Sequence, residues 1–224
     1  MKALEGRNLG FHYAGGPVLF QNVNIHVGEG ECAALTGPSG SGKSTLCYLL
    51  SGIIPRSVEG EVQGDVLLFG EDIKGLSLAS TVKKVGVVFQ NPDSQLFSPT
   101  VEDEIAFGPE NLCLPREEIG RRIGAALEAV NMSSYRLASP ETLSGGQKYL
   151  IALSAVLALE PGALIFDEVF SQLDPQYTRL IKETIISQKK NGKAVLMVEH
   201  DAENLDIADR IYRMDGGCVR EVSL

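Results

Sequence analysis

Residues 22–27 alternate polar and apolar side chains, placing Val23, Ile25 and Val27 on one face of a strand and Asn22, Asn24 and His26 on the other. A second apolar run, Cys32–Thr36, stops at a glycine-rich loop, and a helix-compatible stretch, Lys43–Ser51, follows it. Strand-like runs recur at Asp65–Phe69 and Val85–Phe89. Between about Asn91 and Leu159 the apolar period lengthens to that of helices, most clearly over Glu117–Val130 and Gln147–Leu159. Strand character returns at Ala163–Phe166 and Ala194–Val198, with an amphipathic helix, Gln176–Lys190, between them. This order predicts a single α/β domain over residues 1–224, interrupted by a helical insert at roughly 91–159. No internal repeat or low-complexity tract is present.

Composition narrows the surroundings in which such a chain works. The 224 residues can bury a substantial core, and 44% hydrophobic with 22% charged residues is ordinary for a globular protein. A net charge of −9 argues against a nucleic-acid partner and against electrostatic attraction to anionic lipid. No apolar run approaches the roughly 20 residues that span a bilayer; the longest, Leu150–Leu159, is cut off by Glu160 and Pro161. The N-terminus MKALEGRNLG lacks the apolar core of a signal peptide, so the chain is expected in the cytosol. Cys32, Cys47, Cys113 and Cys218 have no C-x-x-C spacing and are expected to be reduced and mostly packed.

The glycine-rich loop carries the first chemistry. Gly37, Pro38, Ser39, Gly40, Ser41, Gly42, Lys43 and Ser44 spell G-x-x-x-x-G-K-[ST] between a strand and a helix, the context in which that pattern cradles phosphate. Its backbone N–H groups and the helix N-terminus face one anion. Lys43 would neutralise the β- and γ-phosphates and Ser44 would hold Mg²⁺. Downstream, Ala163–Glu168 is a buried strand ending in two carboxylates. Asp167 is suited to reach the Mg²⁺, and Glu168 to act as general base on an attacking water.

Leu143–Gln147, LSGGQ, opens another helix with a serine and two glycines. By itself it reads better as a capping serine than as a second anion site. Taken with the two preceding motifs, it resembles the ATP-binding cassette family along essentially the whole chain. The resemblance implies a P-loop NTPase core with an N-terminal antiparallel β subdomain and an inserted helical signature subdomain. It implies that Tyr13 stacks on adenine, that Gly37 to Thr45 form the Walker A cradle, and that Gln90 is the Q-loop glutamine touching Mg²⁺. Ser144, Gly145, Gly146 and Gln147 match the signature, Asp174 in SQLD the D-loop, and His200 in VEHD the switch histidine. Lys43, Gln90, Glu168 and His200 are the catalytic set so implied, with ATP and Mg²⁺ as ligands. His12 and His26 match no such position. The family arrangement is a head-to-tail dimer, each ATP lying between the P-loop of one subunit and the signature of the other; the second subunit can be identical or related.

Two positions depart from the family pattern. Val169 stands where proline is common, and altered backbone stiffness is expected beside Glu168. Leu150 stands where arginine is frequent.

Cassettes drive unlike machines, so the motor motifs leave a transporter subunit, a soluble ATPase acting on DNA or ribosomes, and a P-loop kinase to be separated. The long coiled-coil insertions of DNA-repair members and the second cassette of ribosome-acting ones do not appear in the sequence, and a kinase leaves LSGGQ and SQLD unexplained. The stretch after Gln90 is more specific. Thr100 and Asp103 form a capping-box pattern that predicts a short helix, Thr100–Phe107, ended by Gly108 and Pro109. Val101 and Ile105 share one face, with Glu102, Asp103 and Glu104 on the others. Asn91–Leu112 is similar to the extended Q-loop and following helix of energy-coupling factor transporter ATPases, the cobalt, nickel and vitamin importers. That resemblance implies docking of a transmembrane T component on an apolar groove rimmed by acids, a substrate-binding membrane subunit engaged indirectly, and a peripheral position at the cytoplasmic face of the membrane.

Overall fold

The computed structural model describes residues 1–171 and 173–222. The described residues form ten strands, β1 (Lys2–Tyr13), β2 (Val18–Gly28), β3 (Cys32–Thr36), β4 (Gly60–Leu68), β5 (Glu71–Asp72), β6 (Val85–Val88), β7 (Ala163–Asp167), β8 (Ala194–Val198), β9 (Arg210–Asp215) and β10 (Cys218–Val222). The helices are α1 (Lys43–Ser51), α2 (Ile53–Arg56), α3 (Leu78–Val82), α4 (Val101–Asn111), α5 (Arg116–Ala129), α6 (Gly145–Leu157) and α7 (Pro175–Lys190), with short 3₁₀ turns between some of them.

Two sheets result. A four-stranded antiparallel sheet runs β2-β1-β4-β5, and a six-stranded sheet runs β10-β9-β3-β8-β7-β6, parallel except for the β9–β10 pair. The central strands read as unbroken apolar runs because both faces are covered. Along β7, Ala163 and Ile165 join a core shared with the antiparallel sheet and α1, whereas Leu164 and Phe166 join a core with α4 to α7. β8 divides likewise, with Leu196 on the first side and Val195 and Met197 on the second. Asp167, at the C-terminal end of β7, therefore emerges from the best-buried part of the molecule, at the strand ends where open α/β sheets hold ligands.

Val23, Ile25 and Val27 are buried and Asn22 and Asn24 exposed, as their alternation predicts. β4 begins at Gly60, earlier than the apolar pattern implies, and Phe69 lies beyond it with φ 54°. β1 pairs with both β2 and β4, and its bulges account for its lack of clean alternation.

The helix after Gln90 differs from its expected form in two ways. α4 continues through Gly108 and Pro109 to Asn111. Pro109 is buried, and Gly108 sits close against Leu159, so packing offsets the backbone hydrogen bond that proline cannot make. Second, Glu104 is not a solvated acid. It is 4% exposed, and its Oε2 accepts the N–H groups of Phe97 at 2.9 Å and Ser98 at 2.8 Å. Glu102 is also engaged within the chain, in a two-pronged pair with Arg136 at 2.9 and 2.7 Å. Of the three acids expected on that rim, only Asp103, which accepts from the Thr100 hydroxyl, is exposed; Glu110, further along α4, is exposed as well.

All four cysteines are unpaired. Cys32 and Cys47 are buried, and burial pushes the Cys32 thiol up to about 12. Cys113 and Cys218 are exposed, so packing accounts for only half of the set. Leu150 and Val169 are both buried in the helical-side core, which explains their apolar character. Among the described residues, no helix is long and apolar enough to cross a membrane.

Candidate functional site

The loop between β3 and α1 wraps a pocket of about 350 Å³ lined by Tyr13, Leu19, Gly40, Lys43, Gln90 and Glu168, among others. Two glycines have identifiable reasons. A Cβ on Gly37 would come within 2.1 Å of the Met214 carbonyl oxygen, so only glycine lets the loop leave β3 past β9. Gly42 caps α1 with φ 101°, a conformation that disfavours side chains. Ser41 Oγ is buried in this loop without a hydrogen-bond partner.

Lys43 is buried, and its ammonium donates to the carbonyls of Gly37 at 3.1 Å and Pro38 at 3.0 Å while lying 3.7 Å from Glu168. The Ser44 hydroxyl donates to Asp167 Oδ1 at 3.0 Å. Asp167 is 1% exposed, and burial pushes its carboxyl above the ordinary aspartate range, opposed by the Ser44 hydrogen bond. The paired Ser44 hydroxyl and Asp167 carboxylate offer oxygen donors of the kind a hard cation such as Mg²⁺ takes, and the Gln90 amide, on the lining of the same pocket as Ser44, carries a further one.

Glu168 gathers the remaining groups. Its Oε2 accepts from Gln90 Nε2 at 3.0 Å, and its Oε1 lies 2.8 Å from His200 Nε2. Its backbone has φ 51°, left-handed and uncommon for a residue other than glycine. This turn swings the carboxylate away from the strand direction, so the two adjacent acids diverge: Asp167 toward Ser44, and Glu168 toward Lys43, Gln90 and His200.

Tyr13 lies at the pocket edge, its hydroxyl 2.8 Å from Thr45 Oγ1 and its ring packed edge-on against Phe11. The bond to Thr45 tethers the ring to the first turn of α1. Leu19 also lines the pocket and packs against Gly42, a contribution sequence reading missed. The signal available was its place on a strand whose neighbour ends in Tyr13.

The other predicted residues lie apart from this pocket. Ser144 caps α6 in a full capping box: its hydroxyl accepts from the Gln147 N–H, and Gln147 Oε1 accepts from the Ser144 N–H at 2.9 Å. The capping and anion-site readings are therefore compatible, since Gly145 and Gly146 begin the helix with small residues. Asp174 caps α7 and is exposed. Neither Ser144, Gly145, Gly146, Gln147 nor Asp174 lines the pocket around Lys43.

The family model for ABC transporters matches residues 20–171. The chain is 43% identical over 211 residues to the energy-coupling factor transporter ATP-binding protein EcfA of Methanosarcina acetivorans, covering 94% of this chain and 75% of that protein. A putative ABC transporter ATP-binding protein of the same organism is 45% identical over 218 residues; the match takes in 96% of this chain but only 34% of that longer relative. The structure of cbiO1 from Clostridium perfringens, described as part of the ABC transporter complex cbiONQ, superposes with a TM-score of 0.86 at 30% identity, covering 98% of this chain and 87% of that one. With the cradle, the paired acids and the signature helix so placed, the chain belongs to the ABC transporter family, as an ATP-binding ATPase coupled to transport and similar to the energy-coupling factor subunits.

Proposed function

We propose that this chain is the motor subunit of an energy-coupling factor importer. It works as one of two cassettes at the cytoplasmic face of the membrane and drives uptake of a vitamin or transition-metal ion through a T component and a substrate-binding membrane subunit. The observation that carries this reading is an apolar groove of about 420 Å³ beside the nucleotide pocket, lined by Leu78, Val82, Val87, Phe89, Val156 and Leu159 among others. Phe89 is the neighbour of Gln90 in sequence, and Leu159 also supports Gly108 of α4. An amphipathic helix of a T component seated there would touch both the nucleotide pocket and the Asn91–Leu112 segment. Phe97 and Phe107, 66% and 49% exposed and packed edge to face at 4.8 Å, add an exposed aromatic pair within the Asn91–Leu112 segment.

At the nucleotide, Tyr13 stacks on adenine and the cradle N–H groups from Gly37 to Thr45 receive the phosphates. Lys43 exchanges the carbonyls of Gly37 and Pro38 for β- and γ-phosphate oxygens, and Ser41 finds a partner for its hydroxyl there. Ser44, Asp167 and Gln90 would hold Mg²⁺, which would supply positive charge beside the phosphates. Glu168 takes the proton of the attacking water, and His200, 2.8 Å away, orients that carboxylate. Ser144 to Gln147 and Asp174, remote from this pocket in their own chain, face the nucleotide of the partner cassette, so two chains complete two sites.

Glu168→Gln removes the proton acceptor while keeping the side chain's shape. It is expected to trap an ATP-bound dimer, seen by light scattering, and to slow steady-state hydrolysis about a hundredfold or more. Normal turnover in this variant would sink the assigned role. For the transport reading, the chain purified from its native membrane is expected to bring down a T-type membrane protein; recovery with DNA or ribosomes instead would overturn it.

A further inference from the structure

Tyr177 stands on the first turn of α7, its N–H bonded to the Asp174 carbonyl at 2.9 Å. Its ring lies across Gly146 of the signature, where a Cβ would come within 2.2 Å of ring carbon Cδ2. Gly146 is not in a left-handed conformation, so its lack of a side chain serves this close approach rather than the backbone. The ring also packs against the helical-side core, and the phenol oxygen lies 3.4 Å from Ser144 Oγ. The same Ser144 oxygen already accepts the Gln147 N–H at 3.3 Å.

A serine hydroxyl has one hydrogen to donate and two lone pairs to accept with. We propose that Tyr177 is a positioning residue for the signature: its O–H donates to Ser144 Oγ, occupies the second lone pair, and leaves the serine hydroxyl able only to donate. The group it then fits is acceptor-only, such as a terminal phosphate oxygen of the nucleotide held by a partner cassette. A separation of 3.4 Å is long for such a bond, and it shortens as the serine hydrogen is drawn toward the anion, because linked hydroxyls polarise one another. Since Tyr177 follows Asp174 on the same helical turn, it also ties the D-loop end of α7 to the signature within one chain.

This inference rests on the head-to-tail cassette reading, and its test separates the two. In a Glu168→Gln parent, light scattering gives the MgATP concentration for half-maximal dimerisation. Tyr177→Phe keeps the ring on Gly146 and removes only the hydroxyl; it is expected to raise that concentration about fivefold, the loss of one modest hydrogen bond. MgADP affinity stays unchanged, because ADP lacks the terminal phosphate. In a Ser144→Ala background, Tyr177→Phe should produce no further shift. An unchanged midpoint, or an equal shift in the Ser144→Ala background, overturns the role of Tyr177. Failure of the parent itself to dimerise with MgATP overturns the cassette arrangement on which that role rests.

Discussion

Gln90 Nε2 donates to Glu168 Oε2 at 3.0 Å across 78 residues of sequence, linking the strand that precedes the helical segment to the acid at the end of β7. The glutamine is thus a direct ligand of the proposed general base as well as a candidate Mg²⁺ ligand. The carboxylate bound to Gln90 on one oxygen and His200 on the other has little freedom to rotate.

Gln90→Ala is therefore expected to lower kcat about tenfold, the scale of one hydrogen bond to a charged group, and, with one candidate Mg²⁺ ligand removed, to weaken MgADP binding by a smaller factor. Steady-state hydrolysis alongside equilibrium ADP binding makes the comparison. A loss of affinity with kcat preserved would mean that Gln90 only binds nucleotide.

Glu104 supplies the bond acceptors for two backbone amides that no other group in the segment satisfies. Glu104→Ala leaves both partners unpaired and is expected to destabilise the protein by roughly 2–4 kcal/mol in urea denaturation. Faster hydrogen exchange should appear at the Phe97 and Ser98 amides. Glu104→Gln retains a carbonyl acceptor and should lose much less.

The pair between Glu102 and Arg136 carries a pH signature. The Arg136 hydrogen bonds hold the Glu102 carboxyl below its ordinary value, so the folded protein binds fewer protons there than the unfolded chain. The resulting stability is fully present above about the ordinary glutamate value of 4.5 and is lost as pH falls through the lower folded value. Because both side chains are about one third exposed or more, the contribution should be small, about 0.5–1 kcal/mol. Glu102→Gln should therefore flatten that part of the acid limb in denaturation curves measured between neutral and acidic pH. An acid limb identical to that of the parent would argue against the pair.

The glycine-rich loop and the paired acids were legible because their motifs are local: Gly37 to Thr45 and Ala163 to Glu168 each carry a strand end and its following turn in one short run. Ser144 and Gln147 were equally readable, since a capping box lies within one turn. What escaped was determined by distant neighbours. Glu104 looks solvated on a helical wheel, and only the amides of Phe97 and Ser98, folding back over it, make it a buried acceptor. Pro109 looks like a stop, but buried packing carries α4 beyond it. β1 escaped because bulges between Gly6 and Leu9 and around Phe11 break the two-residue period. Tyr177 carried no motif, and its contact with Gly146 joins segments from opposite sides of β7 in sequence.

The first turn of α4 is fastened twice more, by the N–H groups of Val101 and Glu102 bonded to the carbonyls of Ala138 and Arg136 at 2.9 Å each. Together with the Glu102–Arg136 pair, these bonds clamp the helix to the chain just ahead of Ser144. A lever so coupled has no backlash: a displacement of α4 passes to the chain leading into Ser144 in the same stroke, and a displacement of that chain hauls α4 with it.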